Sequence, residues 1–159
     1  MALGTSLVRV DPAQLVADSS KLKGESSKVK EKTKVENQYQ TAYRDLQVWQ
    51  KSMNLVTNVI NLTENMETDR KHYRLIEQIE AAAASIPMNI AEGKGRESKK
   101  EYIRFLYIAR GSIYETLTLL DIFHRQGWIN SDTYQSLEKD ALEVIRMLKG
   151  LINAVSANS

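Results

Sequence analysis

Apolar residues spaced by three and four recur from Leu46 to Val155, a period that fits an α-helix and no other regular element. Leu46, Trp49, Met53, Val56 and Ile60, flanked by Val48, Leu55, Val59 and Leu62, form a wide apolar stripe that predicts a helix near 45–62. After a polar connection at 63–69, Leu75, Ile76, Ile79, Ala82, Ala83, Ile86 and Ile90 predict a second helix from about Arg70 to Ala91. Pro87 lies inside it, removing one backbone donor and crowding the carbonyl of Ala83, so a kink within a continuing helix is expected. Gly93 and Gly95 then offer left-handed positions to end it. Ser98 followed by Glu101 reads as a capping box that starts a third helix at Lys99. That helix carries Tyr102, Phe105, Leu106, Ala109, Ile113, Leu117, Leu120 and Phe123 to about Gln126, where Gly127 stops it. Asn130 or Ser131 caps a fourth, with Tyr134, Leu137, Ala141, Val144, Ile145, Leu148, Leu151, Ile152 and Val155 at helical spacing. Four amphipathic helices with short connections imply an all-α fold, an antiparallel up-down four-helix bundle over residues 43–155 with 156–159 as a C-terminal tail. Glycine and proline together make about 6% of the chain, roughly half the usual share, which argues against a turn-rich β fold.

Residues 1–42 follow a different rule. From Pro12 to Asn37 the only large aliphatic residues are Leu15, Val16, Leu22, Val29 and Val35, too few for a core face. The segment reads as a polar N-terminal tail or linker, or as an extra helix opening at Asp11-Pro12, and its composition also suits a fused segment.

Most enzymatic chemistry has no residues to work with. The chain lacks cysteine, which excludes disulfides, thiolate nucleophiles and thiolate-ligated metals. Its two histidines, His72 and His124, are too far apart in sequence for a local ligand pair, and no Glu-x-x-His motif projects a bundle-type metal site. Glu77 and Glu80 sit among polar neighbours and read as a solvated face. Gly93-Lys94-Gly95 lacks the spacing and the preceding strand of a phosphate loop. No catalytic residue, cofactor or metal is therefore expected, and the chain is not expected to be an enzyme. No run approaches 18 apolar residues, and the first ten lack the pattern of a signal peptide, so a cytoplasmic protein is expected.

Charge distribution is more informative than net charge. The formal total is +2, yet between residues 70 and 110 nine basic side chains face five acidic ones. Arg96, Lys99, Lys100 and Arg104 cluster where the third helix begins, so their cations add to the positive end of the helix dipole. These four are the candidate nucleic-acid-binding residues, able to meet the phosphates of RNA or DNA. Gly111, costly inside a helix, is expected at a close helix crossing. Trp49 is expected as a core or subunit-interface anchor, and Trp128 as the more exposed of the two tryptophans.

Three segments resemble one family. Tyr43-Arg44-Asp45-Leu46-Gln47-Val48-Trp49-Gln50-Lys51, Ser85-Ile86-Pro87-Met88-Asn89-Ile90-Ala91-Glu92-Gly93 and Glu101-Tyr102-Ile103-Arg104-Phe105-Leu106-Tyr107-Ile108-Ala109-Arg110-Gly111-Ser112 are similar, in order and spacing, to the 23S rRNA intervening-sequence proteins of bacteria. The resemblance spans about residues 43–155. It implies a four-helix bundle that assembles as a homopentamer, and no catalytic residues. Relatives of that family include the accessory variability determinant of diversity-generating retroelements, which works with a reverse transcriptase and nucleic acid. By this resemblance the expected partners are a second copy of the chain, RNA or DNA, and a reverse transcriptase. The competing expectation is a protein-interaction scaffold without nucleic acid.

Overall fold

The computed structural model describes residue 30, residues 42–66 and residues 72–157. The tail or extra helix expected over 1–42 lies outside the described residues, apart from its last position and Lys30. Four helices follow in order: α1 Gln47–Glu64, α2 Tyr73–Lys94, α3 Lys99–Arg125 and α4 Ser131–Ala157. Each packs on its sequence neighbours, and α1 also packs on α4, closing the bundle. Side-chain bonds give the directions. Ser112 meets Ser85 and Glu115 meets Gln78, so α3 runs back along α2, and Lys51 to Glu143 with Asn58 to Asp140 sets α4 antiparallel to α1. The fold is an all-α, up-down four-helix bundle.

The apolar stripes close on one core. Leu55 and Val59 from α1, Ile79, Ile86 and Ile90 from α2, Leu106, Ile113, Leu120 and Phe123 from α3, and Leu148 from α4 are all fully buried. Burial of each is worth roughly 1.5–3 kcal/mol, which outweighs the weak helix propensity of the β-branched members. The buried hydroxyls stay satisfied by returning one turn to the backbone: Ser52 donates to the Trp49 carbonyl at 2.7 Å, Thr63 to Ile60 at 2.9 Å and Thr116 to Ser112 at 2.9 Å. Trp49 packs on the core edge with Tyr43 at 5.1 Å. Trp128 is half-buried like Trp49 rather than plainly more exposed, since it packs on Phe123 at 5.3 Å and His72 at 4.8 Å.

Helix ends depart from expectation in instructive ways. α2 continues through Pro87 and ends at Lys94, three residues beyond the expected limit. Neither Gly93 nor Gly95 is left-handed; among the described residues only Gly127 has a positive φ, at 72°, and it stops α3 as expected. The capping box at Ser98 does not form: Ser98 makes no side-chain cap, and Glu101 turns outward to Arg104 at 3.4 Å. Of the two candidates at the start of α4, Asn130 is the cap, its Oδ1 accepting from the Thr133 amide at 2.8 Å.

Candidate nucleic-acid interface

The corner between α2 and α3 is built around Gly93. A Cβ there would stand 2.8 Å from Phe105 Cβ and 2.9 Å from Tyr102 Cδ2, so hydrogen is the only substituent that lets the two helices meet. Gly93 is thus a packing residue, and the short connection 95–98 follows from the closeness of the two helices it joins. Upstream, Asn89 Nδ2 donates to the Ser85 carbonyl at 2.7 Å and lies 2.9 Å from Ser85 Oγ, while Ser112 Oγ reaches Ser85 from α3 at 3.0 Å. Asn89 therefore braces its own helix beside Pro87, and Ser85 carries the tie to the neighbour.

That corner presents five cations within eleven residues: Lys94, Arg96, Lys99, Lys100 and Arg104, all exposed. The structure thus brings together the four side chains expected from sequence and adds Lys94, whose ammonium lies 5.9 Å from the Tyr102 ring centre. Arg96 and Arg104 have acidic partners. Arg96 pairs with Glu92 and stacks over Phe105 at 5.0 Å, and Arg104 pairs with Glu101. Both pairs are intrahelical or span one turn and stand about half-exposed or more, so each is worth under about 1 kcal/mol and yields readily to a phosphate. Glu97 is the third carboxylate at the corner, leaving a local excess of positive charge. Ser98 makes no side-chain cap, so its own hydroxyl does not take up the positive end of the α3 dipole.

Tyr102 lies beneath the corner. Its hydroxyl is buried with no hydrogen-bond partner, and burial raises the phenol above its ordinary pKa. At the opposite end of the bundle the Tyr134 hydroxyl lies 2.8 Å from Asp121 and 2.9 Å from Glu138, its ring stacked on His124 at 4.8 Å. Hydrogen bonding to the two carboxylates, Asp121 first, raises that phenol strongly. Among the described residues no three His, Asp or Glu side chains gather as metal ligands.

The residues that carry the sequence resemblance now have definite places: 85–93 form the braced, tightly packed end of α2, and 101–112 the half of α3 that lies against it. The profile of the 23S rRNA-intervening sequence protein family matches residues 44–150. The chain belongs to the 23S rRNA-intervening sequence protein family. Its match takes in the whole cationic corner and leaves residues 1–43 outside. The chain is also similar to the crystal structure of a protein of unknown function from the S23 ribosomal protein family of Bacteroides thetaiotaomicron. Identity is 28% and the TM-score 0.62, over 66% of this chain and 97% of that one. No curated protein matches.

Gly111, expected at a helix crossing, is not at one. It is exposed in the middle of α3, and a Cβ would meet nothing within 4 Å. Its cost of about 1 kcal/mol against alanine finds no compensation inside the described chain. Around it the exposed surface of α3 carries Tyr107, Ile108 and Tyr114, and α2 carries Met88, all more than 40% exposed. Sequence reasoning missed this surface because the same aromatic and aliphatic letters also serve in cores.

Proposed function

We propose that this family member is a non-enzymatic, homo-oligomeric accessory protein that holds RNA or DNA on the cationic corner of each subunit. The observation that carries the reading is the exposure of Lys94, Arg96, Lys99, Lys100 and Arg104 together at the uncapped start of α3. One corner makes only a few phosphate contacts, and a ring of subunits multiplies them along one strand. Self-association is supported by the outer face of α2. From Ala81 to Ala91 it carries no charged residue, and Ala81, Ala84, Ser85 and Met88, with Asn89 and Glu92 at one end, line a shallow depression of about 450 Å³. A second copy of this chain fits a helix face of small residues with one carboxylate at its edge, because backbones can approach closely there. A pentamer is the assembly the family resemblance favours, and a reverse transcriptase is the partner enzyme it favours. No described helix is long and apolar enough to cross a membrane.

Fluorescence anisotropy with labelled RNA and DNA, read from about 50 to 200 mM salt, tests the nucleic-acid half. Affinity should fall steeply with salt, and Lys100→Glu with Arg104→Glu should weaken binding while leaving helicity and mass unchanged. Failure to bind either polymer at about 50 mM salt, where phosphate contacts are strongest, leaves the second reading, a protein scaffold without nucleic acid, which the small-residue α2 face favours. Light scattering tests assembly: the mass should be a multiple of 18.1 kDa and fall on Met88→Glu.

A further inference from the structure

Along the outermost line of α3 stand Lys100, Arg104, Tyr107, Gly111 and Tyr114, spaced four, three, four and three, all exposed. This spacing keeps them on one stripe that leads directly out of the cationic corner. Tyr107 and Tyr114 are 47% and 53% exposed, and the Arg110 guanidinium lies 4.7 Å from the Tyr107 ring centre. Between the two rings Gly111 leaves bare helix backbone, with nothing within 4 Å of its missing side chain. Two tyrosines seven residues apart are separated by about 10.5 Å of helix rise. Planar bases stack at about 3.4 Å, so that separation corresponds to three stacking intervals, ring to base to base to ring.

We infer that Tyr107, Gly111 and Tyr114 form a slot for two unpaired bases of a single-stranded nucleic acid whose phosphates run onto Lys100 and Arg104. The inference rests on the nucleic-acid reading above and adds to it the strandedness of the ligand. Bases of a duplex are stacked inside it and cannot reach rings on a convex helix, whereas a single strand offers both its charges and its faces. Charge chooses this occupant over a second copy. The stripe and its flank carry Lys100, Arg104 and Arg110 against two carboxylates, Glu101, which pairs with Arg104 at 3.4 Å and yields readily to a phosphate, and Glu115, which accepts from Gln78 at 3.1 Å. An apolar partner has the small-residue α2 face around Met88 instead.

The test uses the full chain with a labelled 12-nucleotide single strand, as RNA and as DNA, and with the same sequence annealed to its complement. Wild type is compared with Tyr107→Ala, Tyr114→Ala, the matching Phe variants and Gly111→Leu, each checked for helicity and for mass by light scattering. The single strand should bind at least tenfold tighter than the duplex. Each Tyr→Ala should weaken it about tenfold with the salt slope unchanged, Tyr→Phe should retain binding, and Gly111→Leu should weaken it by filling the slot. Equal binding of single strand and duplex, untouched by Tyr→Ala, overturns the slot and leaves the phosphate reading standing. Loss of oligomer mass in the Tyr→Ala variants assigns the stripe to a second copy and also overturns it. No binding of any of the probes at about 50 mM salt overturns the nucleic-acid reading and the slot with it.

Discussion

Two glycines in one bundle should respond oppositely to the same methyl group. In Gly93→Ala the new Cβ would meet Phe105 Cβ at 2.8 Å and the Tyr102 carbonyl oxygen at 3.2 Å. Carbon atoms rest at about 3.5–4.0 Å, so α3 must retreat by roughly 0.7–1.2 Å. Both atoms are fixed to the α3 backbone, and no rotamer change relieves them. Overpacking of this kind costs about 1–3 kcal/mol, and the rigid neighbours place this case near 3. Alanine's helix propensity returns about 1 kcal/mol, leaving a net loss of about 2. Gly111→Ala gains the same 1 kcal/mol and meets nothing within 4 Å, so it should stabilise the fold. Urea unfolding at matched protomer concentration reads the contrast, since assembly makes stability depend on concentration. With a slope of about 1.5 kcal/mol per molar urea, the midpoint should fall by about 1.3 M in Gly93→Ala and rise by roughly 0.7 M in Gly111→Ala. Equal stabilisation by the two substitutions would refute the close-packed corner and with it the reason the cations are gathered.

Other perturbations separate real partners from apparent ones. Tyr102→Phe deletes a buried hydroxyl that has no partner and should leave stability unchanged or raise it by about 1 kcal/mol; a clear loss in thermal unfolding would mean the hydroxyl is bonded. Asn130→Ala should cost about 1 kcal/mol by removing the cap of α4, whereas Ser98→Ala should be neutral by the same measurement. Tyr134 keeps its proton above the usual tyrosine range because Asp121 and Glu138 accept from it, so its bonds stabilise the fold below about pH 10 and are lost as pH rises through the raised value. Ultraviolet titration should show the latest-ionising phenol disappear in Tyr134→Phe, while the phenol of Tyr102, raised by burial, remains.

The helices were legible because they rest on an average over many residues. Leu55, Ile79, Leu106, Ile113, Phe123 and Leu148 keep the same phase for several turns, and no single exception disturbs the period. Single-residue inferences were less secure, for a physical reason. Gly93 and Gly111 are the same letter, yet one lacks a side chain to admit α3 and the other stands in open solvent; only the path of a second helix distinguishes them. Gly93 could be read as a terminator because glycine permits positive φ, but permission is not requirement, and here the contact with Tyr102 and Phe105 uses it.

The corner itself shows how such a local misreading can leave the site intact. Had Glu101 capped α3, its carboxylate would have neutralised the amides and the dipole, leaving Arg104 unopposed. It pairs with Arg104 instead, and the amides at the start of α3 lose their expected cap. The carboxylate offsets one positive group or the other, so the net field is similar in either arrangement. What changes is the response to a ligand. A phosphate arriving at the uncapped start of α3 can draw Arg104 away from Glu101 at a cost under about 1 kcal/mol, and the same holds for Arg96 and Glu92. Glu101→Gln, which keeps the shape and removes the charge, should therefore strengthen binding of RNA or DNA several-fold at about 50 mM salt and less at 200 mM. If Glu101→Gln left affinity unchanged at low salt while Lys100→Glu reduced it, Arg104 would have to lie outside the contact, and the strand would leave the corner by Lys94 and Arg96 instead.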